Sequence, residues 1–266
     1  MKIKLIVTLL ICAGVPAMAC AKKPKKNVEA QPQQVAETVV EEEEPTITEE
    51  CVVNVSLFNE SAKNKQFEDA FGPWWEVYST CPNANKAVYT QGAKILECKF
   101  NNATTEAEKD EIRNLIMQMH DKRIKYFGDD PKYPTAYILG QKALDYCKYY
   151  EEDPLKLDAY NWFKESITAL GEKSQLNVIQ KFMELSNNLY KADANKYGAQ
   201  YLADYALVSP ILQSIWDNPA AKNSTDAAKL KEYVDNAFAL SGAASCDKLD
   251  ELYANYVQTN GQYLED

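Results

Sequence analysis

The amino-acid sequence predicts an all-α protein, arranged as an α-solenoid of antiparallel helix hairpins. After about residue 50, apolar residues recur at the three- and four-residue spacing of amphipathic helices, and few stretches alternate as a strand would. Glycine is scarce, at 9 of 266 residues, and proline falls mostly at junctions between helices. The connecting loops are short, so neighbouring helices should pair as hairpins that bury their apolar faces against one another.

The periodic segments divide the folded part into ten predicted helices. Their predicted ranges are 51–64, 67–80, 85–100, 105–127, 134–150, 155–170, 175–191, 195–217, 224–240 and 245–260. The last predicted helix has no clear partner helix after it. Because the ends of a solenoid need protection, we expect it to dock on the preceding pair or to be covered by a partner.

Capping residues support several of these boundaries. Thr105 and Glu108 form the Thr-x-x-Glu pattern of a capping box. Other boundaries carry an aspartate before a proline, which favours a helix start, or a glycine, which favours a helix end. These are Asp130-Pro131, Asp153-Pro154, Gly128 and Gly171.

Residues 1–19 have the three-part pattern of a secretory signal peptide. A basic region, Met1–Lys4, precedes an uncharged apolar run, Leu5–Val15, and Ala17-Met18-Ala19 forms a small-x-small cleavage site. The apolar run is too short to cross a hydrocarbon core of about 30 Å, which argues against an N-terminal membrane anchor. We therefore expect an exported, periplasmic protein of a bacterial envelope.

Cys20 directly follows the predicted cleavage site and permits two interpretations. Ala19-Cys20 resembles the end of a lipobox, in which the first mature cysteine carries acyl chains, although Ala17 stands where leucine is usual. Ala17-x-Ala19 equally satisfies ordinary signal peptidase, which would release the protein into the periplasm. Acylation would anchor it to the outer membrane, since each buried CH₂ group contributes about 0.8 kcal/mol.

Residues 20–49 are predicted to be a disordered tether. They contain a lysine cluster, glutamines and the acidic run Glu41–Glu44, but few large apolar residues whose burial could offset the entropy cost of ordering. Residues 50–266 are predicted to form the helical-repeat domain. The formal net charge of −10 argues against nucleic-acid binding, because that needs Lys and Arg side chains to neutralise phosphates.

The cysteines allow one disulfide to be considered. Cys51 and Cys81 lie at the start of the first helix and the end of the second helix of one predicted hairpin. These ends meet when the helices are antiparallel, and an exported protein can form disulfides, so the bridge is geometrically allowed. Buried, unpaired thiols are the alternative. No Cys-x-x-Cys or Cys-x-x-His pair occurs, and the sequence predicts no metal and no cofactor.

This first hairpin also carries a family pattern. Six residues have the spacing of a tetratricopeptide repeat that begins near Cys51. They are Leu57, Phe67, Ala70, Trp74, Val77 and Pro82. In that family a small residue on the second helix, here Ala70, lets the two helices approach closely, large residues fill the seam, and the proline stops the second helix.

The match is imperfect, and the other repeats are degenerate. Asn54, Phe58 and Ser61 replace residues that the family prefers, and Gly72-Pro73 predicts a kink in the second helix. A looser unit extends from Tyr137 to Leu170. Its matching residues are Leu139, Gly140, Ala159, Phe163 and Ile167. The chain thus resembles tetratricopeptide-containing exported proteins and lipoproteins of bacterial envelopes.

The resemblance implies a non-enzymatic scaffold for protein–protein interaction, whose partner is an unidentified envelope protein or peptide. Ligands of the family lie against the first helix of each pair. The residues that match this surface are Val55, Asn59, Lys63, Tyr137, Gln141 and Asp145. The alternative is a glycan-binding envelope lipoprotein that works with an outer-membrane transporter, since Tyr and Trp side chains suit sugar rings.

No group of residues predicts catalysis, so we expect a protein that is not an enzyme. His120 is the only histidine, and we expect a structural role for it because a base or a metal site needs further residues. The many carboxylates are explained by helix faces and caps. Two groups of tyrosines could line a binding groove, but their spacing is also that of a buried seam, which we favour. They are Tyr146, Tyr149 and Tyr150, and Tyr197, Tyr201 and Tyr205.

Overall fold

The computed structural model describes residues 44–246, which contain nine α-helices, a short 3-10 turn and no β-strand. The helices are α1 (Glu49–Lys63), α2 (Phe67–Thr80), α3 (Ala87–Asn102), α4 (Glu106–Phe127), α5 (Thr135–Tyr149), α6 (Leu157–Leu170), α7 (Leu176–Ala192), α8 (Ala194–Asp217) and α9 (Ser224–Ser241). Each helix packs against the next one in the chain. The predicted all-α fold is therefore confirmed for this part of the protein.

Several predictions lie outside the described residues. These are the signal peptide, the lipidation site Cys20, most of the tether and most of the predicted last helix. The remaining end of the tether contacts the helical domain: Thr48 caps α1 by accepting from the Cys51 N–H at 3.2 Å, and Asn83 Nδ2 donates to the Pro45 carbonyl at 3.0 Å. The helical domain thus extends into the predicted tether.

The capping box predicted at Thr105 is present. The Thr105 hydroxyl accepts from the Glu108 N–H, and the Glu108 carboxylate accepts from the Thr105 N–H. The two Asp-Pro pairs, in contrast, do not start helices. Asp130 accepts the backbone N–H groups two and three residues further on, at 2.8 and 3.0 Å, and Asp153 does the same at 3.1 and 3.0 Å. Each aspartate therefore closes a turn before its helix begins.

The buried face of α1 differs from the repeat pattern by one residue. Cys51, Phe58 and Ala62 are buried and Val55 packs beside them, which gives the four- and three-residue spacing of one helix face. Leu57, which we expected to lie in the hairpin seam, is 48% exposed. Phe58 is instead buried with Ala70 and Trp74 in one core.

The second helix of this hairpin packs closely on α3. Helix α2 continues through Pro73, and Trp74 Nε1 donates to the Val88 carbonyl of α3 at 2.6 Å. The indole lies against Gly92, where an added Cβ would be 2.7 Å from Nε1. Gly92 therefore provides a small position for this helix contact. Gly140 does the same on α5, where an added Cβ would be 2.8 Å from Ser166 Oγ of α6.

The apolar core consists of two clusters. The first comes from α1 to α4 with Tyr149 of α5, and the second from α5 to α9. Helices two apart in the chain also touch: α1 contacts α3, α5 contacts α7, and α7 contacts α9. Polar pairs cross the α4–α5 boundary between the clusters. His120 Nε2 lies 2.8 Å from Asp145 Oδ2, and Lys142 Nζ lies 2.5 Å from Asp121 Oδ1.

The second cluster encloses an acidic side chain. Asp204 of α8 is fully buried and accepts hydrogen bonds from Tyr160 at 2.7 and 2.9 Å, from Ser186 at 2.6 Å, and from the Lys164 ammonium at 3.0 Å. Burial, followed by the hydrogen bond to Asp204, raises the pKa of Tyr160 far above its usual value, so its hydroxyl remains a donor. These contacts tie α6, α7 and α8 together.

A disulfide closes the first hairpin. Cys51 and Cys81 are joined, with their Cα atoms 6.4 Å apart, and they are 30 positions apart in sequence. Both residues are buried within the first core cluster. Among the described residues, Cys98, Cys147 and Cys246 are free.

Candidate functional site

A groove of about 430 Å³ lies over α3, between α2 and α4. Its volume is within the range typical of ligand sites. Most of the lining surface is apolar, and polar side chains stand at the rim. The lining residues are Glu68, Phe71, Trp75, Leu96, Lys99, Asn102, Ala103, Thr104, Glu108, Glu111, Ile112 and Leu115.

The aromatic wall of the groove comes from a second apolar face of α2. One face of this helix, with Ala70, Trp74 and Val77, is buried in the first core cluster. The adjacent positions Phe71 and Trp75 are one turn apart, and their rings stack with centroids 6.3 Å apart at an interplanar angle of 18°. Trp75 remains 41% exposed. Phe71 also packs against the first core cluster, so Trp75 is the residue of this second face that remains most open to the groove.

Contacts at both ends define the shape of the groove. At one end, Asn102 Nδ2 of α3 donates to Glu68 Oε1 of α2 at 2.7 Å. At the other, Lys122 of α4 donates to the Tyr78 carbonyl of α2 at 3.2 Å and lies 4.1 Å from the centre of the Tyr78 ring. Helices α2 and α4 thus run in the same direction and meet at their C-terminal ends, with the groove between their N-terminal halves.

Acidic groups predominate at the rim. Glu68, Glu108 and Glu111 supply three carboxylates, and Lys99 supplies one ammonium group. The Lys99 ammonium lies 4.1 Å from the centre of the Phe71 ring. Hydrogen bonds from two backbone N–H groups, first that of Thr104 and then that of Thr105, lower the pKa of Glu108. Glu111 is exposed in the lining, and within the described part of the chain it makes no ion pair or hydrogen bond.

A second concavity, of about 350 Å³, adjoins this rim at Asn102 and includes the free Cys98. The Cys98 Sγ lies 3.7 Å from Glu68 Oε1. Desolvation, followed by the Glu68 charge, raises the pKa of the Cys98 thiol. Since the thiolate is the reactive form of cysteine, these surroundings do not support a nucleophilic role.

The polar groups most suggestive of chemistry lie away from the groove. His120 is buried, its Nε2 contacts Asp145, and its Nδ1 has no hydrogen-bond partner in the structure. Neither residue lines the groove. Asp204 is enclosed in the second core cluster. Within residues 44–246, no three His, Cys, Asp or Glu side chains are grouped so that they could hold a metal ion.

The six residues predicted to bind a partner lie on two helices, α1 and α5, and several of their side chains are engaged within the chain. Val55 packs against the first core cluster, and the Asp145 carboxylate is bonded to His120. Gln175 links Gln141 and Tyr137: its Oε1 lies 2.5 Å from Gln141 Nε2, and its Nε2 lies 3.4 Å from the Tyr137 hydroxyl. Asn59 is half-buried, and only Lys63 is exposed. None of the six lines the groove.

The tyrosine stripe of α8 belongs to the core, as we favoured. Tyr197 and Tyr201 are buried, and Tyr205 stacks on Phe238 of α9 with centroids 3.9 Å apart. In the other group, Tyr149 is buried, while Tyr146 and Tyr150 stack on each other at 4.4 Å. These rings serve mainly to pack helices together.

The chain matches no protein-family model, no curated protein and no solved structure with which it was compared. Nothing in these comparisons therefore assigns a function to the groove. In the described residues, no helix is both long enough and apolar enough to cross a membrane.

The sequence analysis missed the groove, although one feature could have indicated it. Phe71 and Trp75 lie outside the stripe of Ala70, Trp74 and Val77, so α2 has more apolar surface than a single helix contact needs. The contributions of α3 and α4 have no comparable signal. Leu96, Ile112 and Leu115 have the spacing of ordinary core residues, and only the arrangement of three helices brings them to one groove.

Proposed function

We propose that this protein is a non-enzymatic interaction module of the bacterial envelope, built as a tetratricopeptide-like solenoid, which binds a polypeptide in the α2–α4 groove. The observation that carries the proposal is the groove itself, an apolar concavity with a partly exposed tryptophan in its wall and charged groups at its rim. Exposed tryptophans in such surroundings are typical anchors of protein interfaces.

The packing of the helices supports the solenoid interpretation. Contacts between helices two apart in the chain, such as α1 with α3 and α7 with α9, are those of stacked hairpins. Small residues at close helix contacts, Ala70 in the first hairpin and Gly140 in the looser unit, agree with the repeat pattern. The groove, however, is bounded by the second helices of the first two pairs, whereas the family's ligands lie against the first helices.

Peptide selection would test this function. A phage library of random peptides of about sixteen residues, long enough for about four helical turns, would be selected against the full-length protein. We expect selected peptides to bind the wild type and to lose about 30-fold in affinity with Trp75→Ala, the effect of removing an interface anchor. Fluorescence anisotropy would measure the affinity. Trp216→Ala is the matched control, because Trp216 is 48% exposed on α8 and should not affect binding.

The same variants separate the peptide function from glycan binding. Calorimetry with soluble polysaccharides should give no heat if the groove binds polypeptide. The glycan-binding alternative would be favoured by two results together. A polysaccharide would give heat with the wild type but not with Trp75→Ala, and the library would yield no peptide whose binding depends on Trp75.

The proposed location depends on Cys20, and labelling would decide between an anchored and a released protein. With a clickable fatty-acid analogue supplied to expressing cells, we expect the wild type to be labelled and Cys20→Ser to be unlabelled. If a digest of the labelled protein contains the label on a peptide that begins at Cys20, the acyl group is attached to that residue. An unlabelled wild type cleaved after Ala19 would show a released protein and would contradict lipidation.

A further inference from the structure

The groove presents the side-chain spacing of an incomplete helical bundle. Helix α2 contributes Phe71 and Trp75, four residues apart. Helix α4 contributes Ile112 and Leu115, three apart, with Glu108 and Glu111 one turn earlier. These are the spacings with which helices line the seam of a bundle, each apolar stripe facing a neighbour. The stripes on α2 and α4 face a space that the described chain leaves open.

The backbone of the walls restricts what can bind there. An extended peptide gains affinity by pairing its backbone with an exposed sheet edge. The walls of this groove are helices, whose backbone groups bond within the helix. The only non-helical residues in the lining are Ala103 and Thr104, and the Thr104 N–H is already bonded to Glu108 at 2.9 Å. A ligand must therefore be held by its side chains, as an amphipathic helix in a groove is.

The length and charge of the groove define such a helix further. Glu108 and Leu115 are seven residues apart on α4, which corresponds to about 10 Å along the axis, or about two helical turns. The contact at Tyr78 and Lys122 closes one end. At the rim, three carboxylates face one ammonium group, and Glu111 is exposed without an ion pair in the described part of the chain. These features are complementary to a helix with apolar anchors at one face and a basic side chain beside them.

We propose that the α2–α4 groove binds an amphipathic α-helix of a partner protein, which places apolar side chains at i, i+3 or i+4, and i+7 against Trp75 and Leu115, and a Lys or Arg against Glu111. This inference rests on the proposed function and specifies its ligand. The partner's helix packs against α2, α3 and α4 as the fourth helix of a bundle. Its apolar face covers Trp75, and its basic side chain pairs with a rim carboxylate at the edge of the contact.

The test uses the tightest peptide obtained from the library selection, in three forms: unchanged, with proline at its central position, and with its basic residue changed to Glu. Binding should raise the helical circular dichroism at 222 nm. Proline, which breaks a helix, should weaken binding at least about tenfold. The Glu form should bind about threefold more weakly to the wild type, the effect of one exposed ion pair. Glu111→Lys should reverse the preference, so that the Glu form binds more tightly than the basic one.

Different failures have different meanings. If the proline form binds as well as the parent while Trp75→Ala abolishes binding, the groove binds a non-helical peptide, and the helix proposal is overturned although the function stands. If Glu111→Lys leaves the preference for the basic form unchanged, the proposed charge contact is wrong. If Trp75→Ala and Trp216→Ala bind the parent peptide equally, both the function and this inference fail. Glu232→Lys, on α9, is the control for the change in net charge.

Discussion

Replacing Asp204 with alanine should lower the free energy of unfolding by about 3–5 kcal/mol, because two buried hydroxyl groups lose their acceptor and a cavity is left. The carboxylate is 0% exposed and accepts from Tyr160, Ser186 and Lys164. Without it, two buried hydroxyl groups lose their acceptor. The Lys164 side chain is 42% exposed and can reach water, so the hydroxyl groups and the cavity account for most of the cost.

Urea unfolding followed by circular dichroism would measure this loss. Asp226→Ala is the matched control, because Asp226 is exposed on α9 and pairs only loosely with Lys229 at 3.8 Å. That variant should stay within about 0.5 kcal/mol of the wild type. Asp204→Asn keeps the size of the side chain, so its free energy of unfolding should lie between those of Asp204→Ala and Asp226→Ala. Equal stabilities of Asp204→Ala and Asp226→Ala would show that the buried network contributes nothing.

Removing the Cys51–Cys81 disulfide is expected to have the second large effect. The bridge links residues 30 apart in sequence. Closing a loop of that length lowers the entropy of the unfolded chain, which stabilises the folded protein by about 3–4 kcal/mol. The double variant Cys51→Ala, Cys81→Ala should therefore unfold at a much lower urea concentration. Wild-type protein treated with dithiothreitol should lose a similar amount of stability, since both treatments release the same loop.

Cys98→Ala is the control for this prediction. Its thiol is free and lies at the surface near Glu68, so its removal should change stability by less than about 0.5 kcal/mol. Mass spectrometry of a non-reduced digest should detect the linked peptides of Cys51 and Cys81 in protein expressed in an oxidising compartment. Free thiols at both positions in such protein would contradict the bridge.

The sequence predicted the helices well because most boundaries depend on local interactions. Every helix predicted within the described residues is present, with its ends within two residues of the expected positions. The capping box at Thr105 is an example, since both of its hydrogen bonds join residues three positions apart. The Asp-Pro pairs were misassigned because the same local hydrogen bonds also close a turn, and the sequence does not distinguish the two.

Features that depend on several helices were harder to predict. The repeat pattern placed Leu57 in the hairpin seam, but Phe58 is buried there, because the buried stripe of α1 begins at Cys51 and continues at the spacing of Val55, Phe58 and Ala62. The pairing of His120 with Asp145 joins residues 25 positions apart, and no motif marks it. The groove similarly depends on where three helices diverge.

The boundary between α4 and α5 has a consequence for how the domain loses its structure. The two apolar clusters are distinct, although Tyr149 of α5 packs in the first one against Phe100. The polar pairs His120–Asp145 and Asp121–Lys142 also cross between α4 and α5. In stacked helical proteins, cooperativity passes through the interfaces between neighbours. Polar pairs orient such an interface but contribute less to it than a continuous apolar seam. We therefore expect partial unfolding to divide the domain near this boundary, with the groove and the disulfide both in the first unit.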